Sequence, residues 1–303
     1  MAAGVRVGVG KDRADDLCMP GFIGREQEVA TLVRALAGPS VVLVEGEAGI
    51  GKSRLIQELL ATVRNDHRVL LGVCPPYRES LTLGPIVDAV RQARDCVAGL
   101  RLSPLAGALR PLFPEWAADL PPAPEPLSDP RAAHHRLFRA LVELIDTLDA
   151  TVLVVEDVHW ADNATLDFLL FLTCRLPQPI NVVITYRPED VPPTSPLLRL
   201  SSRLPATTTR LRLTLEPLDV EATARMVSSM LGGQPVSPSL VRFLHQRTDG
   251  VPLAVEESVR LLRDRADLVR DARGWRRRGS GELQVPPTVR DAVLERVQRL
   301  GGA

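Results

Sequence analysis

Val41-Val42-Leu43-Val44-Glu45-Gly46-Glu47-Ala48-Gly49-Ile50-Gly51-Lys52-Ser53-Arg54 is the stretch on which the fold turns. Its unbroken apolar opening marks a strand buried on both faces, as in parallel sheets covered by helices. Gly46 to Ser53 then satisfies G-x-x-x-x-G-K-[ST] at every fixed position, and Arg54 to Val63 carries apolar residues at helical spacing. Strand, glycine-rich turn and helix are the context such a loop needs to hold phosphate. Glycines let successive backbone amides turn inward around phosphate oxygens, and the helix N-terminus adds partial positive charge. Lys52 supplies a compact ammonium for the β and γ phosphates, where a wider guanidinium would not substitute. Ser53 offers its hydroxyl to Mg²⁺. A glycine-rich turn that merely joins strand to helix is the plainer reading, and it leaves the lysine unexplained: apart from Lys11, every other Lys or Arg of the chain is arginine.

A phosphate loop needs an acidic partner at the end of a neighbouring strand. Thr151 to Val155 (TVLVV) runs straight into Glu156 and Asp157, so one carboxylate can hold Mg²⁺ while the other polarises an attacking water. By position, Glu156 is assigned to the metal and Asp157 to the water; the alternative is a pair that caps the strand and meets solvent. Val158-His159-Trp160-Ala161-Asp162-Asn163 follows, ahead of a helical pattern over 164–174. Asp162 or Asn163 suits a helix N-cap, Trp160 suits packing, and His159 fits either a phosphate-sensing or a buried structural role. Asn181 to Thr185 reads as another buried strand. Arg187, just past it, is placed to report on a third phosphate, or is a plain surface arginine.

The rest of the chain alternates in the same way. Arg68 to Val73 reads as a strand; Glu26 to Leu36, Pro85 to Val97 and His134 to Leu148 read as helices. Alternating strand and helix predicts an α/β parallel sheet flanked by helices. Ser103 to Pro130 holds eight prolines, which exclude a long helix or a central strand there, and it reads as a surface excursion with short helical turns. After residue 214 the strands give way to helical patterns at 219–231, 238–246 and 252–262. Val269 to Val285 reads as a hairpin with Arg276-Arg277-Arg278 at a solvated tip, and 287–300 as an amphipathic helix. The expected organisation is a loose leader over 1–19, a core over 20–215 with the 103–130 insertion, and a smaller helical lid with the start of a winged-helix-like region over 216–303.

Of the 303 residues, 45% are hydrophobic and 24% charged, and 37 basic residues balance 37 acidic ones. That composition suits a globular protein and disfavours a globally basic nucleic-acid binder. The four cysteines, Cys18, Cys74, Cys96 and Cys174, stand far apart, against a zinc site or a disulfide framework. No apolar run approaches membrane length and the N-terminus is too polar for a signal peptide, so a cytoplasmic location is expected.

Taken together, these strings resemble the STAND-class signal-transducing ATPases of the AAA+ group. The closest likeness is to the Orc-like ATPase domain of large LuxR-type regulators akin to the maltose-regulon activator. Phe22-Ile23-Gly24-Arg25-Glu26-Gln27-Glu28 matches the family's opening, and Val154 to Asp162 (VVEDVHWAD) its acidic-pair segment. Thr185-Tyr186-Arg187 matches its first sensor, and Thr248 to Leu253 (TDGVPL) its G-x-P motif. The resemblance implies that Gly24 and Arg25 contact the adenine end of the nucleotide and that Pro252 lies against it. It implies ATP or ADP with Mg²⁺ as ligands and self-association in the ATP-bound form.

Two departures qualify it. The order Glu156-Asp157 puts the shorter carboxylate at the catalytic position, which predicts slow hydrolysis. The helical-repeat sensor and helix-turn-helix of the longer relatives are not in this sequence, and residues 251–303 carry eleven arginines against eight carboxylates, so no DNA binding is expected from this chain. The expected function is a nucleotide-dependent switch. The rivals are a non-hydrolysing, nucleotide-stabilised interaction module and a small-molecule P-loop kinase.

Overall fold

The computed structural model describes residues 21–76, 81–93, 97–174, 180–200 and 204–278. The chain divides into two compact units, Arg25–Glu216 and a second that joins Met1–Gly24 to Pro217–Ala303. The leader over 1–19, Cys18, Cys96, the end of the expected hairpin, the 287–300 helix and the winged-helix-like start lie outside the described residues.

The larger unit is built on a parallel sheet of five strands among the described residues: β1 (Ser40–Glu45), β2 (Val69–Val73), β3 (Val152–Glu156), β4 (Asn181–Tyr186) and β5 (Thr209–Thr214). Their spatial order is β2-β3-β4-β1-β5, so β4 stands between the strand that leads into the glycine-rich loop and the one that ends on the acidic pair. Asn181 fixes the register of β1 on β4, its side-chain carbonyl accepting the Ser40 N–H at 2.8 Å. β3 is buried along its whole length, as its uninterrupted apolar run requires.

Helices cover both faces. Val41, Leu43, Leu153, Val155, Val182 and Ile184 point from the sheet into one core shared with α3 (Gly84–Ala93), α4 (Pro130–Thr147) and α5 (Asn163–Thr173). α1 (Glu26–Ala35) and α2 (Lys52–Val63) pack on each other, and α1 meets β1 and β5. The Asp162 carboxylate caps α5 by accepting the Thr165 N–H, and it also accepts the Leu83 N–H ahead of α3. One acidic residue thereby closes two helix starts.

Three expectations need correction. β5 is a strand that the apolar-run criterion overlooked. Its sequence, TRLRLT, alternates, and its side chains are exposed or half-buried because it lies at the sheet edge. The proline-rich stretch is more than a surface excursion. It forms 3-10 turns at Pro104–Leu109 and Pro114–Trp116, and it buries Ala106, Leu109, Phe113, Trp116 and Leu120 in the main core. Phe113 and Trp116 stack with centroids 4.4 Å apart. Proline removes helix and ladder bonds without preventing the apolar residues between prolines from being buried. The third correction falls in the smaller unit.

That unit packs α6 (Val220–Met230), α7 (Pro238–Thr248) and α8 (Pro252–Asp264) around Met226, Val227, Leu244, Val255, Val259 and Leu262. Asp219 and Ser237 cap α6 and α7, and Pro252 takes the first position of α8, where a missing N–H does no harm. Gly250 has φ +75°, and a Cβ there would lie 2.1 Å from the Leu218 carbonyl oxygen. Glycine is therefore dictated by the α7–α8 turn itself. A two-stranded hairpin, β6 (Leu268–Asp271) with β7 (Gly274–Arg277), completes the unit. Its tip is Ala272-Arg273, where Asp271 accepts the Arg273 N–H. Arg276 and Arg277 thus lie in the second strand, with the Arg277 guanidinium 4.2 Å from the Phe243 ring centroid. No helix among the described residues is long and apolar enough to cross a membrane.

Candidate functional site

β1, β3 and β4 end at one edge of the sheet, the edge where α/β sheets place their ligands. Registration does the positioning. Val44 pairs with Thr185 and Glu45 with Tyr186, while Val155 pairs with Ile184. The chain leaving β1 as the glycine-rich loop, the chain leaving β3 as Glu156-Asp157 and the chain leaving β4 as Arg187 therefore emerge side by side.

The loop is anchored and open in the places its chemistry requires. Ile50 is 1% exposed and pins the loop into the core, while Gly46-Glu47-Ala48-Gly49 pass over it. Gly51 has φ +102°, and a Cβ there would meet no atom within 4 Å, so backbone conformation alone demands glycine. It is the N-cap of α2 and brings no side-chain acceptor to the first turn. Anion binding at that helix start is left to backbone amides and the helix dipole.

Lys52 is 7% exposed, and its Nζ donates to the carbonyl oxygens of Gly46 at 2.7 Å and Glu47 at 2.9 Å. Burial is the main influence that lowers its pKa; Asp157, Glu189 and Asp190 pull it back up, and Arg187 opposes them. Ser53, next on the helix, acts as a hydrogen-bonding neighbour that holds the Glu156 carboxyl pKa down. Glu156 is itself 7% exposed, and burial chiefly pushes its pKa up, with the neighbouring Asp157 adding to the rise and Ser53 and Lys52 opposing it. Arg54 lies on the exposed side of α2.

Asp157 adopts a left-handed backbone, φ 55°, immediately after β3, and its N–H donates to Thr185 Oγ1 at 3.0 Å. Thr185 is completely buried. A residue of the expected sensor thereby holds the backbone of the expected catalytic carboxylate. Thr185→Val would leave the part-buried Asp157 N–H unpaired, and it is expected to lower stability by about 1 kcal/mol in urea unfolding and to reduce turnover with it.

On the other side of β4, Glu45 joins three strands. Tyr186 donates its hydroxyl to one Glu45 oxygen, and Thr214 donates to the other at 2.8 Å. Burial, then this bond, raises the Tyr186 pKa and keeps the phenol protonated. Cys74 donates its N–H to the Glu156 carbonyl at 3.0 Å, and burial pushes its thiol pKa up to about 12, so it stays an unreactive thiol beside the site.

Arg187 and His159 complete the rim. The Arg187 guanidinium lies 4.9 Å from the Trp160 ring centroid, and Nη1 is 3.7 Å from Asp190 Oδ2. The His159 side chain is fully buried, with Nε2 3.7 Å from that same oxygen and Nδ1 4.0 Å from Asp157 Oδ1. Burial lowers its pKa against the pull of Asp157. The structure therefore brings together Lys52, Ser53, Glu156, Asp157 and Arg187. Around them it sets Thr185 and His159, both singled out in the sequence, together with Glu45 and Asp190, and these four make contacts across strands that no local pattern announces.

The other residues expected at the nucleotide make contacts within their own units. Arg25, at the start of α1, pairs with Glu28 at 2.9 Å and donates to the Glu216 carbonyl oxygen. Gly24 and Pro252 belong to the helical unit. There Gly24 faces Ala222, and Pro252 opens α8.

The donor set at the sheet edge suits a phosphate chain with a divalent cation. Glycine opens the helix start, a buried ammonium is bonded to the loop carbonyls, and the Ser53 hydroxyl follows it on the helix while a buried carboxylate, Glu156, ends the strand two places away in the sheet.

Comparison with known proteins gives a consistent placement. Residues 21–185 match the family model described as AAA ATPase domain. An uncharacterized protein of Rhizobium meliloti is 30% identical over 282 residues, which is 84% of this chain and 26% of that protein. The chain thus spans about a quarter of the length of that curated relative. Among solved structures, a Walker-type ATPase of Pyrococcus abyssi superimposes with a TM-score of 0.53 at 14% identity, covering 93% of this chain and 73% of that one. Cdc6p from Pyrobaculum aerophilum gives 0.52 at 14% identity, covering 82% and 65%. Likeness at that identity speaks for the fold.

Proposed function

The chain belongs to the AAA ATPase domain family, and from that premise we propose that it is a nucleotide-dependent switch: it holds ADP or Mg-ATP, hydrolyses ATP slowly, and signals which nucleotide is bound. The observation that carries this reading is the single sheet edge at which the buried Lys52 ammonium, bonded to the Gly46 and Glu47 carbonyl oxygens, stands with the end of β3 at Glu156-Asp157. It joins the two sequence motifs at the point where phosphate and metal chemistry meet.

In this reading the loop amides from Gly46 to Ser53 and the Lys52 ammonium receive the phosphates, with Arg54 at the rim. Ser53 and Glu156 hold Mg²⁺, which when bound neutralises charge on the phosphate oxygens. Asp157, held by Thr185, orients the water, and its short carboxylate, reaching less far than a glutamate, favours slow turnover. Arg187 reads the third phosphate. Gly24, Arg25 and Pro252 serve the base end of the nucleotide, with residues 20–215 taking the role of core and 216–303 that of lid.

The likeness in sequence to LuxR-type regulators of the STAND class supports a role in transcription regulation within a longer cytoplasmic protein. There, ATP-bound copies self-associate and other segments contact DNA. Hydrogen exchange under Mg-ADP and under a non-hydrolysable Mg-ATP analogue tests the switch. Protection is expected to differ around 185–191 and across 217–278. Identical protection in both states would refute switching and leave a nucleotide-stabilised interaction module.

A further inference from the structure

Arg187 leaves β4 one position past the Glu45–Tyr186 pair, so its backbone lies beside the start of the phosphate loop. The turn that follows, Pro188–Asp190, is a 3-10 turn opened by proline, and its i,i+3 spacing returns the Asp190 carboxylate towards Arg187. From β3 comes His159, which brings a second donor to the same place. The single oxygen Asp190 Oδ2 stands 3.7 Å from Arg187 Nη1 and 3.7 Å from His159 Nε2. Neither distance is a hydrogen bond. Both ring nitrogens of His159 and Nε of Arg187 are buried without a hydrogen-bond partner. Two donors from two strands thus compete for one acceptor and neither is satisfied.

An arrangement of this kind resolves when a third group removes one donor. The site described above supplies one, because ATP differs from ADP by an anion that lies beyond the Lys52 position, and a guanidinium prefers a phosphate to a loosely held carboxylate. Arg187 follows the Tyr186 that pairs with Glu45 at the start of the loop, and Asp190 Oδ2 lies 3.7 Å from its Nη1, so both stand at the sheet edge from which the phosphate loop leaves.

We propose that Asp190 is an internal anion that holds Arg187 when the third phosphate is absent and pairs with His159 when the third phosphate takes Arg187. Asp190 and His159 then set the preference for ATP over ADP. The inference rests on the reading of Arg187 as the residue that senses the third phosphate. A ligand shifts a two-state equilibrium only by its differential affinity for the two states. An acidic residue that stabilises the ADP arrangement therefore subtracts from the advantage of ATP, while a histidine that stabilises the ATP arrangement adds to it. No proton need move, since a neutral imidazole with its hydrogen on Nε2 donates to the carboxylate.

The test titrates the 303-residue chain with Mg-ADP and with a non-hydrolysable Mg-ATP analogue and takes the ratio of the two affinities. Asp190→Asn keeps an acceptor for His159 but loses the charge that holds Arg187, and it should raise the ATP-to-ADP ratio by about threefold, the scale of a partly exposed ion pair. His159→Ala should lower that ratio by a similar factor. A purely structural role for either residue would move both affinities together. Glu189→Gln removes the same charge one residue away. If it raises the ratio as much as Asp190→Asn, or if Asp190→Asn leaves the ratio unchanged, the proposal is overturned. Arg187→Ala separates the two levels of the argument. An unchanged ratio there refutes the sensor reading itself, whereas a reduced ratio alongside an inert Asp190→Asn refutes the inference about Asp190 alone.

Discussion

Lys52→Ala is expected to weaken nucleotide binding by about a hundredfold or more while leaving the chain folded. The ammonium is buried and already bonded to two loop carbonyls, so moving it onto phosphate oxygens requires no new desolvation. Charge-assisted hydrogen bonds contribute about 1.5–3 kcal/mol each, and losing two amounts to at least two orders of magnitude in affinity. Folding should tolerate the change, because alanine suits the first turn of α2 and the Gly46 and Glu47 carbonyls can turn to water. Equilibrium dialysis with Mg-ADP, with a urea unfolding curve alongside, checks both halves. Unaltered affinity would remove Lys52 from the site.

Asp157→Asn should separate binding from turnover. The carboxylate sits just past β3, its backbone tied to Thr185, while the metal-side assignment falls on Glu156 and Ser53. Removing a general base typically lowers the rate about 10²–10⁴-fold, and the amide, being isosteric, leaves the phosphate contacts in place. Steady-state ATPase assays should show turnover at background with Mg-ATP affinity within about threefold of the parent. Glu156→Gln should also abolish turnover and, in addition, weaken the dependence of binding on Mg²⁺. If Asp157→Asn hydrolyses ATP normally, another group activates the water.

The interior of the fold was legible because its strands are continuous apolar runs. VVLV and TVLVV could be read as doubly buried, and each leads into a functional residue, VVLV through Glu45 to Gly46 and TVLVV directly to Glu156. β5 escaped because an edge strand need not be apolar: TRLRLT presents arginines to solvent and, among the described residues, pairs with β1 alone. The proline-rich segment was half legible. Proline density excluded regular structure, but the burial of Phe113 and Trp116 depends on what α4 and the turns place around them.

The site divides along the same line. Lys52, Ser53 and the acidic pair could be found from fixed spacing. Thr185 on Asp157, Tyr186 on Glu45 and Asp190 between Arg187 and His159 depend on the register of β4 against its two neighbours. Pairing of that kind over long sequence separation leaves no trace in local spacing.

The central claim is that this sheet edge holds a nucleotide, and one measurement reaches it directly. The purified chain is denatured and the released nucleotide is identified and counted, with Lys52→Ala prepared in parallel. Close to one ADP or ATP per chain is expected, lost in the Lys52→Ala protein. No nucleotide in the parent chain, and none taken up after incubation with Mg-ATP, would contradict it.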